Sequence, residues 1–190
     1  MQNIYFILRH GQTPYQLKKE KICYLWPEPS PILLTEKGKK QIKVAAKKLK
    51  EEKIDLIYSS DMPRARQTAK IVAQELGLGV IFDSRLQDIN MGIFRGRPNK
   101  EVRQYFPHHK EWFFKPVPQG ESWNNAKERM MNFLKEIDKK YKNKKILIVS
   151  HGDPLWLLEG AVKSLNNEQL LEQKLNNTGI KVGELRKLCP

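Results

Sequence analysis

The sequence predicts an α/β fold, a three-layer α/β/α sandwich built around a mostly parallel sheet. Short apolar runs typical of strands alternate with segments whose apolar residues recur at helical spacing. The run at 146–149 is apolar without interruption, as in a strand buried on both faces of a parallel sheet. No internal repeat, long linker or low-complexity segment divides the 190 residues. We therefore expect one domain over residues 1–190, with an irregular cap or insertion at about 84–120.

The first half of the chain carries signals for three strands and two helices. Thr35 can cap a helix, because its hydroxyl accepts an N–H of the first turn, and apolar residues follow at helical spacing. Pro63 suits the first turn of a second helix, and Gly77 suits the position after its last turn. The predicted elements are a strand at 4–8, a helix from the Thr35 cap to about 52, a strand at 55–59, a helix at 63–76 and a strand at 80–82.

The second half begins with the least regular stretch and ends with a clear strand and helix. Residues 84–120 hold an aromatic cluster at 112–114 that can shape a pocket roof or belong to the core. Ser122 can start a long helix. The predicted elements are a short helix near 100–105, a helix from 122 to about 141, a strand at 145–149, a helix at about 154–162 and one or two edge strands within 179–188.

Composition and charge narrow the class of protein. Hydrophobic residues make up 39% and charged residues 29% of the chain, which is typical of a folded protein rather than a disordered one. No apolar run is long enough to span a bilayer. The net charge of +14 suits either phosphate contacts to nucleic acid or a lysine-rich solvated surface. Because the lysines are scattered along predicted helices, we expect the solvated surface and no nucleic-acid partner.

The cysteines and the start of the chain bear on location. Cys23 and Cys189 form no Cys-x-x-Cys pair, so zinc or redox chemistry has little support. A disulfide between them cannot be read from the sequence and stays open. The first four residues contain no basic stretch that leads into an apolar signal core. We expect a cytoplasmic protein, either a monomer or a homodimer.

Three strand ends carry matching chemistry. Arg9-His10-Gly11 follows the first predicted strand, Ser59 to Ala69 begins at the end of the second, and Ser150-His151-Gly152 follows the strand at 145–149. Parallel strands bring these ends to one edge of the sheet, outside which ligands bind in α/β proteins. Two histidines and two or three arginines would then share one cleft. Such a cluster repels itself, so it predicts a bound anion, and phosphate suits both arginine forks and a helix N-terminus.

Side chains near the first two strand ends suit phosphate chemistry. Arg9 can hold a phosphate with two hydrogen bonds, and His10 offers a ring nitrogen that can attack phosphorus. Gly11 lets the backbone turn sharply and approach a ligand closely. Thr13 and Ser59 can each donate a hydroxyl hydrogen bond to phosphate or simply cap a turn.

Further candidates flank these residues. Gln12 and Gln16 are candidates to contact the rest of a substrate. Arg64 stands at the start of a predicted helix, where it can reach the same anion. Arg66 is predicted to lie on the surface, because a helix points residues two apart in different directions.

Taken together, the motifs resemble those of the histidine phosphatase superfamily, the phosphoglycerate-mutase-like group. They occur in the family's order and span nearly the whole chain: Arg9-His10-Gly11, Leu34-Thr35-Glu36-Lys37-Gly38, Ser59 through Ala69, Gly120-Glu121-Ser122 and Ser150-His151-Gly152. The resemblance implies a phosphoglycerate mutase-like fold. It also implies a metal-independent phosphomonoesterase that needs no cofactor and acts on a small phosphorylated metabolite.

The resemblance further implies residue roles. His10 would be the nucleophile and form a phosphohistidine, and it must attack as the neutral imidazole, which nearby positive charges favour. Arg9, Arg64 and His151 would hold the phosphoryl oxygens and stabilise charge on the transferring group. Gly152 belongs to the same phosphate-binding turn as His151. No metal is required, because arginine and histidine supply the positive charge.

The predicted proton donor is where the chain departs from the family's pattern. The family usually places a glutamate in a segment like Leu-x-Glu-Ile, and here Asp88, one methylene shorter, stands at that position. Arg95 replaces a second glutamate that usually follows. Asp88 is our candidate for the general acid that protonates the leaving alcohol and then acts as base on water. Asp153, two residues after His151, is the alternative.

Two other functions stay open at this point. A phosphoglycerate mutase would transfer the phosphoryl group, but the chain is short for that branch and lacks its extension after Asp88. A non-catalytic phosphate-binding regulatory module gains some weight from the aspartate in place of glutamate. In each case the predicted partner is a small-molecule phosphate ester, with no membrane partner, and the sequence does not name the ester.

Overall fold

The structure is a computed structural model that describes residues 1–189, and it confirms the predicted α/β/α sandwich. One sheet contains the strands β1 (Ile4–Arg9), β2 (Leu56–Ser59), β3 (Val80–Phe82), β4 (Lys145–Ser150) and β5 (Leu185–Leu188). Their order in the sheet is β3-β2-β4-β1-β5. The neighbours among β1 to β4 are parallel, and β5 pairs antiparallel with β1 at one edge. The sheet is therefore mostly parallel, as the alternating pattern predicts.

Helices connect and cover the strands. In chain order they are α1 (Pro14–Leu17), α2 (Glu36–Glu52), α3 (Pro63–Leu76), α4 (Asn99–Tyr105), α5 (Glu111–Phe114), α6 (Trp123–Lys140), α7 (Gly152–Val162) and α8 (Asn167–Leu175). Two short 3₁₀ turns, Ser84–Leu86 and Gly92–Phe94, lie between β3 and α4. The predicted helix and strand positions agree with these bounds to within two residues for the long elements.

Alternation along β1 builds two separate cores. Phe6 and Leu8 pack with apolar residues of α2 and α3 on one face of the sheet. Tyr5 and Ile7 point the other way and pack with residues of α6 and α7. Successive side chains of a strand face opposite sides, so this single strand anchors both helical layers. Each large side chain that is buried in this way contributes about 1.5–3 kcal/mol of hydrophobic free energy.

The predicted helix boundaries have the expected local causes. The Thr35 hydroxyl accepts the N–H of Gly38 at 3.0 Å, which caps α2. Pro63 is the first residue of α3, and Gly77 ends that helix at a φ of 68°. This left-handed conformation is one that glycine adopts without a steric penalty.

Three helices were not predicted, and the chain end contains one of the one or two edge strands expected there. α1 and α5 are single turns, and α8 buries only Leu170, so none of the three has the apolar periodicity that identifies a helix. Residues 179–188 contain one strand, β5, within the part of the chain that the structure describes. The preceding residues form turns around Gly183 instead of a second strand.

Residues 84–120 form a cap with its own small core. That core contains Val102, Phe106 and Val117 from the cap, and Cys23 from the segment that precedes α2. The backbone joins the two segments as well, because the Cys23 N–H donates to the Arg97 carbonyl at 2.9 Å. The cap is thus fixed to residues 21–24, and it is also joined to the sheet, because the Ser150 hydroxyl donates to the Leu86 carbonyl at 2.7 Å.

The connections place a crevice at the carboxyl ends of β1 and β4. The chain leaves β1 toward β2 on one side, and it leaves β4 toward β5 on the other. Such a change of direction is the usual ligand-binding position in open α/β sheets. In the register of the sheet, Arg9 lies beside Ser150, so the two histidine-bearing turns start next to each other.

Two further observations concern the chain as a whole. Cys23 is a buried free thiol and Cys189 an exposed free thiol, so the disulfide left open by the sequence is not formed. Among the helices of residues 1–189, none combines the length and the apolar character that crossing a bilayer requires.

Candidate active site

The two histidines of the strand-end motifs share one site. His10 follows β1 and His151 follows β4, and their ring centroids are 5.3 Å apart. Both are buried, with 1% and 0% of their surface exposed. The His10 N–H donates to the Ser150 carbonyl at 3.1 Å, which ties the two turns together. Residues 141 positions apart in the sequence are thereby brought within contact distance of one ligand.

The hydrogen bond of His10 fixes which ring nitrogen can act as a nucleophile. Its Nδ1 lies 2.8 Å from the Gly11 carbonyl oxygen, which can only accept a hydrogen bond. Nδ1 therefore carries the proton, and Nε2 carries the lone pair. Burial, then Arg64, His151 and Arg9, hold the pKa of His10 well below its usual value of 6.5. The imidazole is accordingly neutral near pH 7, as nucleophilic attack requires.

His151 is neutral for similar reasons. Burial is the largest cause that lowers its pKa, followed by the positive charges of Arg64, Arg129 and Arg9. Its Nε2 is 2.9 Å from the Ser60 hydroxyl. When Ser60 donates this bond, the ring proton lies on Nδ1, and the buried Nδ1 has no hydrogen-bond partner in residues 1–189.

Arg9 lies flat against the start of α7. Its Nη1 donates to the Ile180 carbonyl at 3.0 Å, and its buried Nε has no partner within the described chain. A Cβ at Gly152 would come within 2.9 Å of the Arg9 guanidinium carbon. The role predicted for Gly152 is thereby refined, because the missing side chain makes room for Arg9.

Arg64 is completely buried and lies between two carboxylates. Its Nη1 donates to Glu28 at 2.9 Å, and its Nη2 donates to Asp88 at 3.0 Å. The Tyr24 ring covers the guanidinium, with the ring centroid 3.7 Å from Cζ. Burial, opposed by Arg64 and by the Ile32 N–H, raises the pKa of Glu28 above its usual value. These contacts fix the guanidinium in one orientation.

Asp88 lies between Arg64 and His151. The same Oδ2 that accepts from Arg64 is 3.6 Å from His151 Nδ1. Arg129 on α6 donates to the Asp88 backbone carbonyl at 3.1 Å and also pairs with Glu121. Glu121 in turn accepts the Asn90 N–H at 2.9 Å. The Gly120-Glu121-Ser122 motif thus positions the loop that carries Asp88.

Three of the buried nitrogens that lack a partner within residues 1–189 belong to this one cluster. They are Nε of Arg9, Nε of Arg64 and Nδ1 of His151. Leaving a buried donor unpaired costs about 1–3 kcal/mol, and more for a charged group. Donors that converge in this way can be satisfied by an oxyanion, and the Asp88 carboxylate already takes part of that position.

Two groups predicted to contact phosphate have protein partners in the structure. The Ser59 hydroxyl donates to the Ser60 carbonyl at 2.8 Å, so the serine that reaches a site histidine is Ser60. The Gly11 N–H donates to the Thr68 hydroxyl at 3.2 Å and is not free for phosphate. A Cβ at Gly11 would lie 2.7 Å from the Gly38 carbonyl, so glycine is needed there for packing against α2.

Thr13 and Gln16 form a hydrogen-bonded group with Tyr24. The Thr13 hydroxyl donates to Gln16 Oε1 at 2.9 Å, and Gln16 Nε2 donates to the Tyr24 hydroxyl at 2.7 Å. Both side chains contact Tyr24, the residue that covers Arg64, so they position that tyrosine. Gln12 accepts from the Thr35 hydroxyl at 2.9 Å, beside the start of α2.

The remaining candidates lie farther from the histidines. Asp153 forms an ion pair with Lys174, whereas Asp88 lies 3.6 Å from His151 Nδ1, and this position favours Asp88 as the acid. The Arg66 side chain lies on the Phe82 ring at 3.8 Å from the centroid, away from the cluster as predicted. Of the aromatic cluster at 112–114, Phe113 is buried in a core and Phe114 is exposed. Trp112 lines a cavity.

That cavity has a volume of about 540 Å³ and lies between the sheet edge and the cap. Arg9, Tyr24, Asp88 and Gly152 form its inner end. The histidines lie against these lining residues, with the ring centroids of His10 and Tyr24 6.5 Å apart. His10 is buried and does not line the cavity, so a ligand group that reaches it requires a neighbouring side chain to move.

Several site residues escape sequence reasoning. Glu28 lies in a proline-rich loop and Arg129 in the middle of a helix, where nothing in the pattern distinguishes them from solvated charges. Tyr24 lies in an irregular segment. Ser60 directly follows the candidate Ser59, and only the exact end of β2 decides between them. In residues 1–189, no group of three or more His, Cys, Asp or Glu side chains is arranged to hold a metal ion.

Comparison with known proteins gives consistent results. The sequence profile of the histidine phosphatase superfamily (branch 1) matches residues 5–187. Phosphoserine phosphatase 1 of Hydrogenobacter thermophilus is 35% identical over 64% of this chain and 60% of its own length. The 2,3-bisphosphoglycerate-dependent phosphoglycerate mutase of Bartonella tribocorum is 33% identical over 93% of this chain and 88% of its own.

A solved structure agrees in fold. A mycobacterial glucosyl-3-phosphoglycerate phosphatase superposes with a TM-score of 0.79 over 97% of this chain and 88% of its own, at 23% identity. At that identity the similarity concerns the fold alone. The relatives in sequence include both a phosphatase and a mutase, so the reaction has to be argued from the site.

Proposed function

This chain belongs to the histidine phosphatase superfamily, and from that membership we propose that it is a metal-independent phosphomonoesterase that acts through a phosphohistidine on His10. The observation that supports this most strongly is the set of unpaired buried donors on Arg9, Arg64 and His151. They surround a neutral histidine whose Nε2 lone pair is free. A phosphoryl group would satisfy these donors and present phosphorus to that lone pair.

In the first step, His10 Nε2 forms a bond to phosphorus while the bond from phosphorus to the ester oxygen breaks. Arg9 and Arg64 carry fixed positive charges toward the transferring oxygens, and His151 Nδ1 adds an uncharged donor. The proton stays on Nδ1 of His10 and keeps its hydrogen bond to the Gly11 carbonyl. The phosphorylated ring is therefore an imidazolium. The guanidinium groups stabilise the negative charge on the transferring phosphoryl oxygens, so this step needs no metal ion.

The leaving alcohol takes its proton from Asp88. In the structure this carboxylate pairs with Arg64. When a phosphate dianion takes Arg64, Asp88 loses a cation and gains an anionic neighbour, so its proton affinity rises. The displaced carboxylate then takes up a proton from solvent and donates it to the leaving oxygen as the bond to phosphorus breaks.

In the second step, water attacks the phosphohistidine. Asp88, now a carboxylate, accepts the proton from the water while the new bond to phosphorus forms. The bond between phosphorus and Nε2 breaks, and inorganic phosphate leaves. His10 returns to the neutral form with its proton still on Nδ1.

Phosphoglycerate mutase activity is the second candidate. It is supported by the relative from Bartonella tribocorum, whose printed name is that of a mutase and which aligns with 93% of this chain. A mutase would pass the phosphoryl group from His10 back to an acceptor alcohol instead of water. A coupled assay for isomerisation of phosphoglycerate, run beside an assay for phosphate release, separates the two activities.

The location and partners follow as further proposals. Two free thiols support a cytoplasmic location, because cytosolic cysteines stay reduced. The cavity of about 540 Å³ supports a small-molecule phosphate ester as the partner, rather than a nucleic acid.

Trapping of the phosphoenzyme tests the proposal. After rapid quenching of a reaction with a ³²P-labelled ester, we expect acid-labile label on wild-type protein and on His108→Ala, an exposed histidine that serves as the matched control. We expect none on His10→Ala, with phosphate release reduced about 10⁴-fold or more. Full turnover by His10→Ala would overturn the proposal. Binding of phosphate without any turnover by wild type would favour a regulatory module instead.

A further inference from the structure

The cavity is larger than a phosphoryl group requires. A water molecule takes about 30 Å³, so the few heavy atoms of a phosphoryl group fill only the inner end of a cavity of about 540 Å³. The rest of the volume is available to the alcohol portion of the substrate. The residues that line this remaining volume therefore indicate which class of alcohol the substrate contains.

The charged residues that line the cavity differ in whether they are paired. Asp88 pairs with Arg64, and Asp153 pairs with Lys174, so these carboxylates are neutralised. Arg9 and Arg103 have no ion pair within residues 1–189. One cavity thus contains two uncompensated guanidinium groups.

These two arginines belong to different walls. Arg9 comes from the sheet edge and reaches the phosphate end, whereas Arg103 comes from α4 in the cap. Apolar side chains line the cavity as well, among them Ile22, Met91 and Trp112. A ligand that matches this pattern has an anionic group at each end and a less polar middle.

The face of α4 supports the assignment of Arg103. Asn99 is four residues earlier, so the two side chains share one helix face, and both line the cavity. Asn99 Oδ1 accepts from the Cys23 thiol at 3.3 Å, which leaves its amide N–H groups as donors. Lys100, the residue after Asn99 in the same helix, instead pairs with Glu20 and does not line the cavity.

We propose that Arg103 and Asn99 form a second subsite, which binds an oxyanion on the leaving alcohol of the substrate. The substrate class is then a phosphate monoester with a second anionic group, either a carboxylate or a second phosphate. This inference rests on the proposed phosphatase activity for its kinetic consequences. The predicted binding of the second oxyanion does not depend on that activity.

Matched substrate pairs test the subsite. 3-Phosphoglycerate and glycerol 3-phosphate differ by a carboxylate, and fructose 1,6-bisphosphate and fructose 6-phosphate differ by a phosphate. We expect wild type to prefer the member with the second oxyanion in one of the pairs by about tenfold or more in kcat/KM, the effect of one charge-assisted hydrogen bond. The pair that shows the preference identifies which oxyanion is bound.

Two variants locate the preference. Arg103→Gln should lower kcat/KM about tenfold for the preferred member and leave its partner within about twofold. Lys100→Gln removes the same charge from a residue of α4 that does not line the cavity, and it should keep the preference. Equal activity on both members of both pairs in wild type, or equal losses for both members in Arg103→Gln, would overturn the subsite.

A binding measurement separates this inference from the proposed function. Titration calorimetry of the same four esters on His10→Ala needs no turnover. A binding preference that disappears in His10→Ala/Arg103→Gln supports the subsite, whether or not wild type turns the esters over. Absence of phosphate release by wild type from every ester would contradict the phosphatase and not the subsite. Turnover of p-nitrophenyl phosphate without any preference in binding leaves the phosphatase standing and removes the subsite.

Discussion

The sheet edge and the cap face each other across one cavity, and they are held by different means. At the sheet edge, His10 and His151 follow adjacent parallel strands whose backbones fix them in register. In the cap, Asp88 is held by side chains from elsewhere, with Arg129 on its carbonyl and Arg64 on its carboxylate. A backbone ladder is rigid, whereas side-chain contacts can exchange partners. The sheet edge therefore suits fixed charges, and the cap suits a group that moves when substrate binds.

Arg64 is the contact between the two regions, and among the contacts that join them its loss should have the largest effect. We expect Arg64→Met to lower kcat/KM about 10³-fold for every ester, because one fixed donor to the transferring oxygens is removed. The variant also leaves Glu28 buried without its partner, which should destabilise the fold by about 3 kcal/mol or more. Phosphate release and urea unfolding measure the two effects.

A second substitution separates charge from structure at this contact. Arg64→Met/Glu28→Gln removes the unpaired carboxylate and should recover much of the stability but none of the activity. Arg66→Met, two residues along α3 and stacked on Phe82, is the matched control and should keep the activity. Recovery of activity in the double variant would mean that Arg64 only supports the fold.

Asp88 tests whether the cap takes part in the chemistry. Asp88→Asn should lower turnover of glycerol 3-phosphate, a poor leaving group, by about 10²-fold or more. Turnover of p-nitrophenyl phosphate should fall much less, because p-nitrophenolate leaves without a proton. Asp153→Asn, which removes the alternative acid, should affect neither ester strongly, since Asp88 and not Asp153 lies beside His151. Equal losses on both esters in Asp88→Asn would show that Asp88 is not the proton donor.

The same division explains what the sequence could predict. His10, Arg9 and His151 follow strands with clear apolar patterns, so their meeting at one edge follows from parallel pairing alone. Arg64 follows from its place in a contiguous motif. The choice between Ser59 and Ser60 depends on the last residue of β2, and patterns do not fix strand ends that closely.

The cap side of the site could not be derived in this way. Glu28 and Arg129 reach Arg64 and the Asp88 loop through contacts that join distant segments without any periodic signal. The role of Gly11 depends on the Gly38 carbonyl, which the sequence does not place beside it. Short motifs identify the residues of such a site, but the partners that position them emerge only from the packed chain.

The pH dependence of stability should separate the sheet edge from the exposed histidines. The pKa values of His10 and His151 are lowered in the folded state, whereas in the unfolded chain each is near the usual 6.5. Below about pH 6.5 the unfolded state binds protons that the folded state does not, so stability present above that pH is lost as pH falls.

Each of the two histidines should contribute a loss of about 1.4 kcal/mol per pH unit until its folded pKa is reached. Urea unfolding between pH 7 and 5 measures the slope. His151→Gln should remove about half of it, and His108→Gln/His109→Gln, at exposed positions of the cap, should leave it unchanged. A slope that follows the exposed pair instead would mean that the buried imidazoles accept protons in the folded protein, and the neutral nucleophile on which the sheet edge depends would be lost.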